Sequence, residues 1–168
     1  MRRRLCLLFA AILFFMLSGC RHIETETVYN FYYLRVEYTC GSQDSVISTE
    51  ARKFPEKHEV SDLLKLYLNG PLDKTYKNPF PKNTSIIDFE HQADTVSIKL
   101  SDQIGALTGV SLSLTCACLA KTAMDLTGAE TVHISADTLL LNGKNFITFD
   151  ADTILLLDGS STTDPVTE

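Results

Sequence analysis

Apolar and polar residues change period several times along this chain, and each change marks an element. From Val28 to Tyr38 the run VYNFYYLRVEY is aromatic and β-branched, which suits a pleated, half-buried surface and predicts a strand. Its alternation breaks parity. Tyr29, Phe31 and Tyr33 form one set and Leu34, Val36 and Tyr38 another, so either a bulge falls near Tyr33 or both faces are covered. A turn follows Cys40 and Gly41, and Ser45 to Phe54 supplies a second extended stretch before Pro55. The period then becomes helical: Val60, Leu63, Leu64 and Tyr67 lie at i, i+3, i+4 and i+7. Asn69, Gly70 and Pro71 end this helix, because Gly accepts the left-handed conformation of a helix end and Pro cannot continue one. Pro71 to Pro81 holds three of the five prolines and reads as a loop.

A hairpin comes next. Ile87 and Phe89 alternate with Asp88 and Glu90, and after Gln92, Ala93 and Asp94 the set Val96, Ile98 and Leu100 alternates with Ser97 and Lys99, so each strand should bury one face. Leu112, Cys116, Leu119, Ala123 and Leu126 then follow one helical stripe, predicting a second helix over Val110 to Leu126, before Gly128. For its first turn a strand reading competes, since Val110, Leu112 and Leu114 alternate with serines. Thr131 to Ser135 reads as a strand. Val132, Ile134, Ala136, Asp137, Thr138 and Leu140 recur fifteen residues later as Ile147, Phe149, Ala151, Asp152, Thr153 and Leu155, which reads as two similar strands of a meander rather than a solenoid. Ser160 to Glu168 reads as a disordered polar tail.

The start of the chain follows a different logic. Arg2, Arg3 and Arg4 precede thirteen consecutive apolar residues, Leu5 to Leu17, too few for the roughly 20 that a membrane-spanning helix needs, so residues 1–19 read as a removable export signal. Leu17, Ser18, Gly19 and Cys20 resemble the bacterial lipobox, in which the cysteine thiol takes a diacylglycerol and the peptide is cut just before it. Cys20 would then be the lipid attachment site and residues 20–27 the tether, holding the domain (28–159) at the outer side of the cell membrane, outside the cytoplasm. Cleavage removes three arginines and no acid, moving the formal balance from −6 to −9. Such a chain lacks the clustered Lys and Arg that neutralise phosphates, so a nucleic-acid partner is not expected. With 45% hydrophobic and 21% charged residues, one packed core is.

Candidate chemistry is sparse. With Cys6 lost in the signal and Cys20 committed to lipid, Cys40, Cys116 and Cys118 remain, an odd number, and the two thiols of Cys116-Ala117-Cys118 would point about 200° apart on a helix, poor geometry for a bridge or shared metal. His22, His58, His91 and His133 lack ligand spacing, so no metal or other cofactor is expected. Gly109-Val110-Ser111-Leu112-Ser113 misses the last glycine of a nucleophile elbow, and no glycine cluster could cradle phosphate. Asp150, Asp152 and Asp158 suggest calcium, but Ile154 to Leu157 fill the intervening ligand positions with aliphatics, and a turn or strand boundary is the simpler reading. Asp88 and Glu90 fall on a polar strand face, and His133 has no assignable carboxylate or nucleophile, so the catalytic set is empty and no enzyme is expected.

The order of elements, with Leu63, Leu64, Leu68, Asn69, Gly70 and Pro71, then Pro81 to Ile87, Val96 to Asp102, the second helix and Thr131 to Ser135, resembles the GerMN domain of sporulation and spore germination over about Val28 to Ser135. The resemblance implies an α+β fold: two helices on a small mixed or antiparallel sheet, an αββαβ core similar to ring-building motifs, and an added N-terminal strand. It also implies a non-catalytic envelope lipoprotein that acts in sporulation or germination by protein–protein assembly, with envelope proteins or further copies of itself as partners. The alternative is a lipoprotein that captures a small ligand or peptidoglycan fragment in a cleft lined by Tyr29, Phe31 and Tyr33.

Overall fold

A computed structural model of the protein describes residues 26–37, 46–139 and 145–158. The expected signal, lipobox (Leu17, Ser18, Gly19, Cys20), most of the tether, the turn at Cys40 and the polar tail lie outside these residues.

Strand β1 (Thr27–Arg35) pairs antiparallel with β2 (Ile47–Phe54), from Thr27↔Phe54 to Leu34↔Ile47 without interruption. The parity break is thus resolved by covering both faces, not by a bulge. Phe31 and Tyr33 are fully buried on one face, while Leu34 and Tyr32 pack partly on the other and Ile47 is buried. Helix α1 (Val60–Leu68) buries Leu63, Leu64 and Tyr67, and each Leu contributes about 1.5–3 kcal/mol relative to exposure. Gly70 ends the turn with φ +99° and donates its N–H to the Tyr67 carbonyl at 3.0 Å. A Cβ there would stand 2.9 Å from Asn78 Nδ2, so both conformation and space require glycine. Within the expected loop lies a two-residue strand, β3 (Tyr76–Lys77), on the outer edge of β1, giving a sheet ordered β2-β1-β3.

The second sheet has the order β4-β5-β6-β7, with β4 at Ile86–Gln92, β5 at Thr95–Leu100, β6 at Thr131–Ser135 and β7 at Phe146–Asp150. β4–β5 is the expected hairpin. Its turn places Ala93 at φ +50°, and a bulge between Ile86 and Asp88 makes Ile86, not Ile87, the inward residue. Ile87 is 60% exposed, a correction to the expected alternation. A 3-10 turn (Asp102–Ala106) leads to α2 (Gly109–Thr127), the crossover that makes β5 and β6 parallel. The helical reading prevails from the first turn because Leu112 joins Thr115 and Cys116 on the buried stripe while Val110, its partner in the strand reading, is 75% exposed; the Ser111 and Ser113 hydroxyls are satisfied by the Thr108 and Gly109 carbonyls. Gly128, at φ +76°, closes α2 by donating to the Met124 carbonyl.

Helix α2 packs against β1 of the first sheet and against β5, β6 and β7 of the second. Leu112, Cys116, Ala117, Cys118, Leu119, Ala120 and Ala123 are all buried, a wider stripe than one sheet requires, and their small size lets both sheets approach. The α+β architecture is as expected, with the strands divided between two sheets. In the fifteen-residue echo only the strand halves match: Ile134↔Ile147 and Val132↔Phe149 pair, but the second half becomes α3 (Ala151–Asp158) rather than a turn. Asp150 Oδ1 starts α3 by accepting the Thr153 N–H at 2.7 Å and its hydroxyl at 2.6 Å. Asp150 is therefore a helix cap, and Asp152 and Asp158 lie within the helix.

Candidate functional site

Alternation in β5 and β6 sends Val96, Ile98, Leu100, Val132 and Ile134 into the core and Thr95, Ser97, Lys99, Thr131, His133 and Ser135 to the other side. Cross-strand register aligns that other side into rows. Glu90, Ser97, His133 and Thr148 make one, and Asp88, Lys99, Ser135 and Phe146 make the next. The result is a sheet with one face under α2 and the opposite face holding a shallow groove of about 480 Å³. Ser97 and Ser135 are its small central residues, with Asp88 and Glu90 toward the β4 edge and Phe146, 41% exposed, on the β7 side. His133 Nδ1 lies 2.8 Å from Thr148 Oγ1 and its ring meets Phe146 edge-on. Lys99 Nζ pairs with Asp137 Oδ1 at 3.0 Å.

Asp88 and Glu90 therefore occupy the polar strand face expected for them, and His133 joins them on a surface rather than facing a nucleophile. Other sequence candidates are dispersed. Cys116 and Cys118 are buried on α2, and burial pushes the Cys116 thiol up to about 12. Cys40 and His22 lie outside the described residues, among which no group of three or more His, Cys, Asp or Glu could hold a metal. Phe31 and Tyr33 line no cleft. Both pack against Tyr67 in the core, Phe31 stacked and Tyr33 tilted, Tyr67 in turn meets Phe80 edge-on, and Tyr29 is half-buried against Phe54.

Sequence reasoning missed a polar hub beneath the first sheet. Glu50 and Arg52, opposite Phe31 and Tyr29 on β1, point into the core at 8% and 9% exposure. Arg52 Nε donates to Glu50 Oε2 at 2.6 Å, and its Nη2 donates to Tyr33 Oη at 3.0 Å and the Gly70 carbonyl at 2.8 Å. Its guanidinium lies 4.8 Å from the Phe31 ring centre. Glu50 Oε1 accepts the N–H groups of Leu72 and Asp73 at 2.8 and 2.7 Å. Burial holds the Tyr33 and Tyr67 hydroxyls far above the usual tyrosine range, so both serve as neutral donors, Tyr33 to the Tyr67 carbonyl and Tyr67 to the Tyr32 carbonyl. The Tyr32 N–H goes to Thr122 Oγ1 on α2, so helix side chains occupy both backbone groups of Tyr32.

No helix among the described residues is long and apolar enough to cross a membrane. No curated protein matches the chain. Among solved structures it is similar to a crystal structure described as "Putative Lipoprotein from Clostridium perfringens", at 17% identity and a TM-score of 0.44, covering 79% of this chain and 93% of that one. The family model described as Germane, sporulation and spore germination, matches residues 30–138, well over half the sequence and from β1 through the turn after β6. On that match, the chain belongs to the Germane family of sporulation and spore germination.

Proposed function

We propose that this protein is a lipid-anchored, non-catalytic module of the cell envelope that helps a sporulation or germination complex assemble by docking another protein on the open face of the β4–β7 sheet. The observation that carries this reading is the contrast between the two faces of that sheet. One is closed by α2, whereas the other presents Ser97, Ser135, His133, Phe146 and two carboxylates around a shallow groove. Broad, shallow and mixed in polarity, such a surface suits a protein partner better than an enclosed small ligand. The family supports the sporulation or germination context. The lipobox at Leu17 to Cys20 supports the anchor.

Photo-crosslinking residues placed at Ser97 and Ser135, with a control on α1 at Lys65, test the surface in growing and in spore-forming cells. Discrete adducts from the sheet positions and none from the control are expected; no adduct from either sheet position in either state would end the proposal. Replacing Cys20→Ala tests the anchor separately, and the variant should leave the membrane fraction while the domain remains folded. The ligand-capture reading through Tyr29, Phe31 and Tyr33 receives no support, because its aromatic cleft is core.

A further inference from the structure

Among the described residues, neither carboxylate of the open face makes an ion pair. Glu90 stands opposite Ser97 in the register, and beyond Ser97 come His133 and Thr148, so its row holds no lysine or arginine. Asp88 stands opposite Lys99, but the Lys99 ammonium turns to Asp137 at 3.0 Å, and one Asp88 oxygen accepts the neighbouring Phe89 N–H at 3.0 Å. Both acids are exposed and both line the groove. Residues two apart on a strand share a face at a spacing of about 7 Å, so Asp88 and Glu90 form a fixed pair of like charges along the β4 wall. A cation laid in the groove relieves their repulsion, and an anion adds to it. The short side chains of Ser97 and Ser135 leave room above them for longer ones.

We infer that the partner docked on this face presents a basic, extended segment, with Lys or Arg at alternate positions that pair with Asp88 and Glu90. An extended chain repeats its side chains on one side at the same spacing of about 7 Å, so two alternate cations meet the two carboxylates without adjustment of either backbone. The Ser97 and Ser135 hydroxyls, each a donor and an acceptor, are placed to serve polar groups of the same segment. Complementary charge of this kind sets partner choice and encounter rate. A second copy of this chain is a poor occupant. Its formal balance is −6, or −9 without residues 1–19. No strand among the described residues carries exposed cations at alternate positions: Arg52 on β2 is buried, and β1, β3 and β5 hold a single cation each. The inference rests on the docking reading above and names the chemistry of its partner.

Two short synthetic peptides, one alternating lysine with threonine and one alternating glutamate with threonine, serve as probes on the full-length protein in detergent, read by the amide chemical shifts of Ser97, His133 and Ser135. The lysine peptide should move these shifts and the glutamate peptide should not. The double variant Asp88→Asn with Glu90→Gln, isosteric changes at exposed positions, should weaken lysine-peptide binding about fivefold or more, and raising the salt from about 50 to about 500 mM should weaken it severalfold. In cells, the same double variant should lower the adducts from a photo-crosslinking residue at Ser135 by about fivefold. Equal binding of the two peptides, binding of neither, or a lysine-peptide affinity unaltered by the double variant would overturn the basic partner. Wild-type adducts undiminished in the double variant would overturn it as well, while leaving docking on the open face standing. No adducts in the wild type would remove the docking reading itself, and this inference with it.

Discussion

Replacing Arg52→Met probes the least expected feature of the structure, a charged pair inside a core built by aromatic residues. Methionine fills much of the same volume but makes none of the bonds to Glu50, Tyr33 and Gly70, and it leaves the Glu50 carboxylate buried with the two backbone donors of Leu72 and Asp73. Both side chains are less than a tenth exposed, so solvent does little to soften the loss. Removing one partner of a buried pair costs about 3–5 kcal/mol. Against a typical total of about 5–15 kcal/mol, that is a large share, and at about 2–4 °C per kcal/mol the melting temperature should fall on the order of 10 °C.

The double variant Glu50→Leu with Arg52→Met removes the uncompensated charge, and water can serve the freed amides of Leu72 and Asp73, both exposed residues. It should therefore be more stable than Arg52→Met alone, with a coupling energy of about 2 kcal/mol or more. Urea denaturation followed by circular dichroism on the wild type, both single variants and the double closes the cycle. An Arg52→Met cost under about 1 kcal/mol, or a double variant whose cost equals the sum of the singles, would refute the claim that the pair is a buried, mutually dependent unit.

Three other measurements bear on different parts of the molecule. Gly70→Ala should cost about 1–3 kcal/mol in the same urea assay, since its φ of +99° and the 2.9 Å approach to Asn78 both oppose a Cβ; a neutral result would show that the turn relaxes freely. Cys116 and Cys118 should resist alkylation in the native protein and react on unfolding, read by peptide mass spectrometry; because the folded Cys116 pKa is raised to about 12 from a usual value near 9, its share of stability is intact below pH 9 and is lost as pH rises from there toward 12. The Thr153 hydroxyl and N–H hold the Asp150 carboxyl below its usual range, a depressed folded pKa whose stabilising share is present above the unfolded value near 3.8 and is lost as pH falls; Asp150→Ala should therefore speed exchange of the first α3 amides at neutral pH, with the difference from wild type shrinking in acid.

What could be read in the chain follows from how local its cause is. The stripe Val60, Leu63, Leu64, Tyr67 and its Asn69-Gly70-Pro71 stop need only a few neighbouring residues, and α1 forms where the spacing puts it. The same is true of β5, whose alternation already set Ser97 and Lys99 apart from the core set, and of β6, which forms at the expected Thr131 to Ser135 and turns His133 and Ser135 outward. That these polar residues share one surface depends on the parallel register Ser97↔His133, which is set by the 19-residue crossover α2 rather than by either strand. Asp150 did carry a local signal, a cap residue ahead of the run Ile154 to Leu157, but its likeness to the preceding strand-and-turn unit obscured it. Glu50 and Arg52 carried none. In the run Ile47 to Phe54 they look like solvated strand residues, and they become interior only when the β1–β2 register sets them on the same side as Tyr29, Phe31 and Tyr33 and the turn at Gly70 closes over them. The aromatic alternation that suggested a ligand cleft is thus one wall of that enclosure, and Arg52, stacked on Phe31 and bonded to Tyr33, occupies the place the ligand was expected to take.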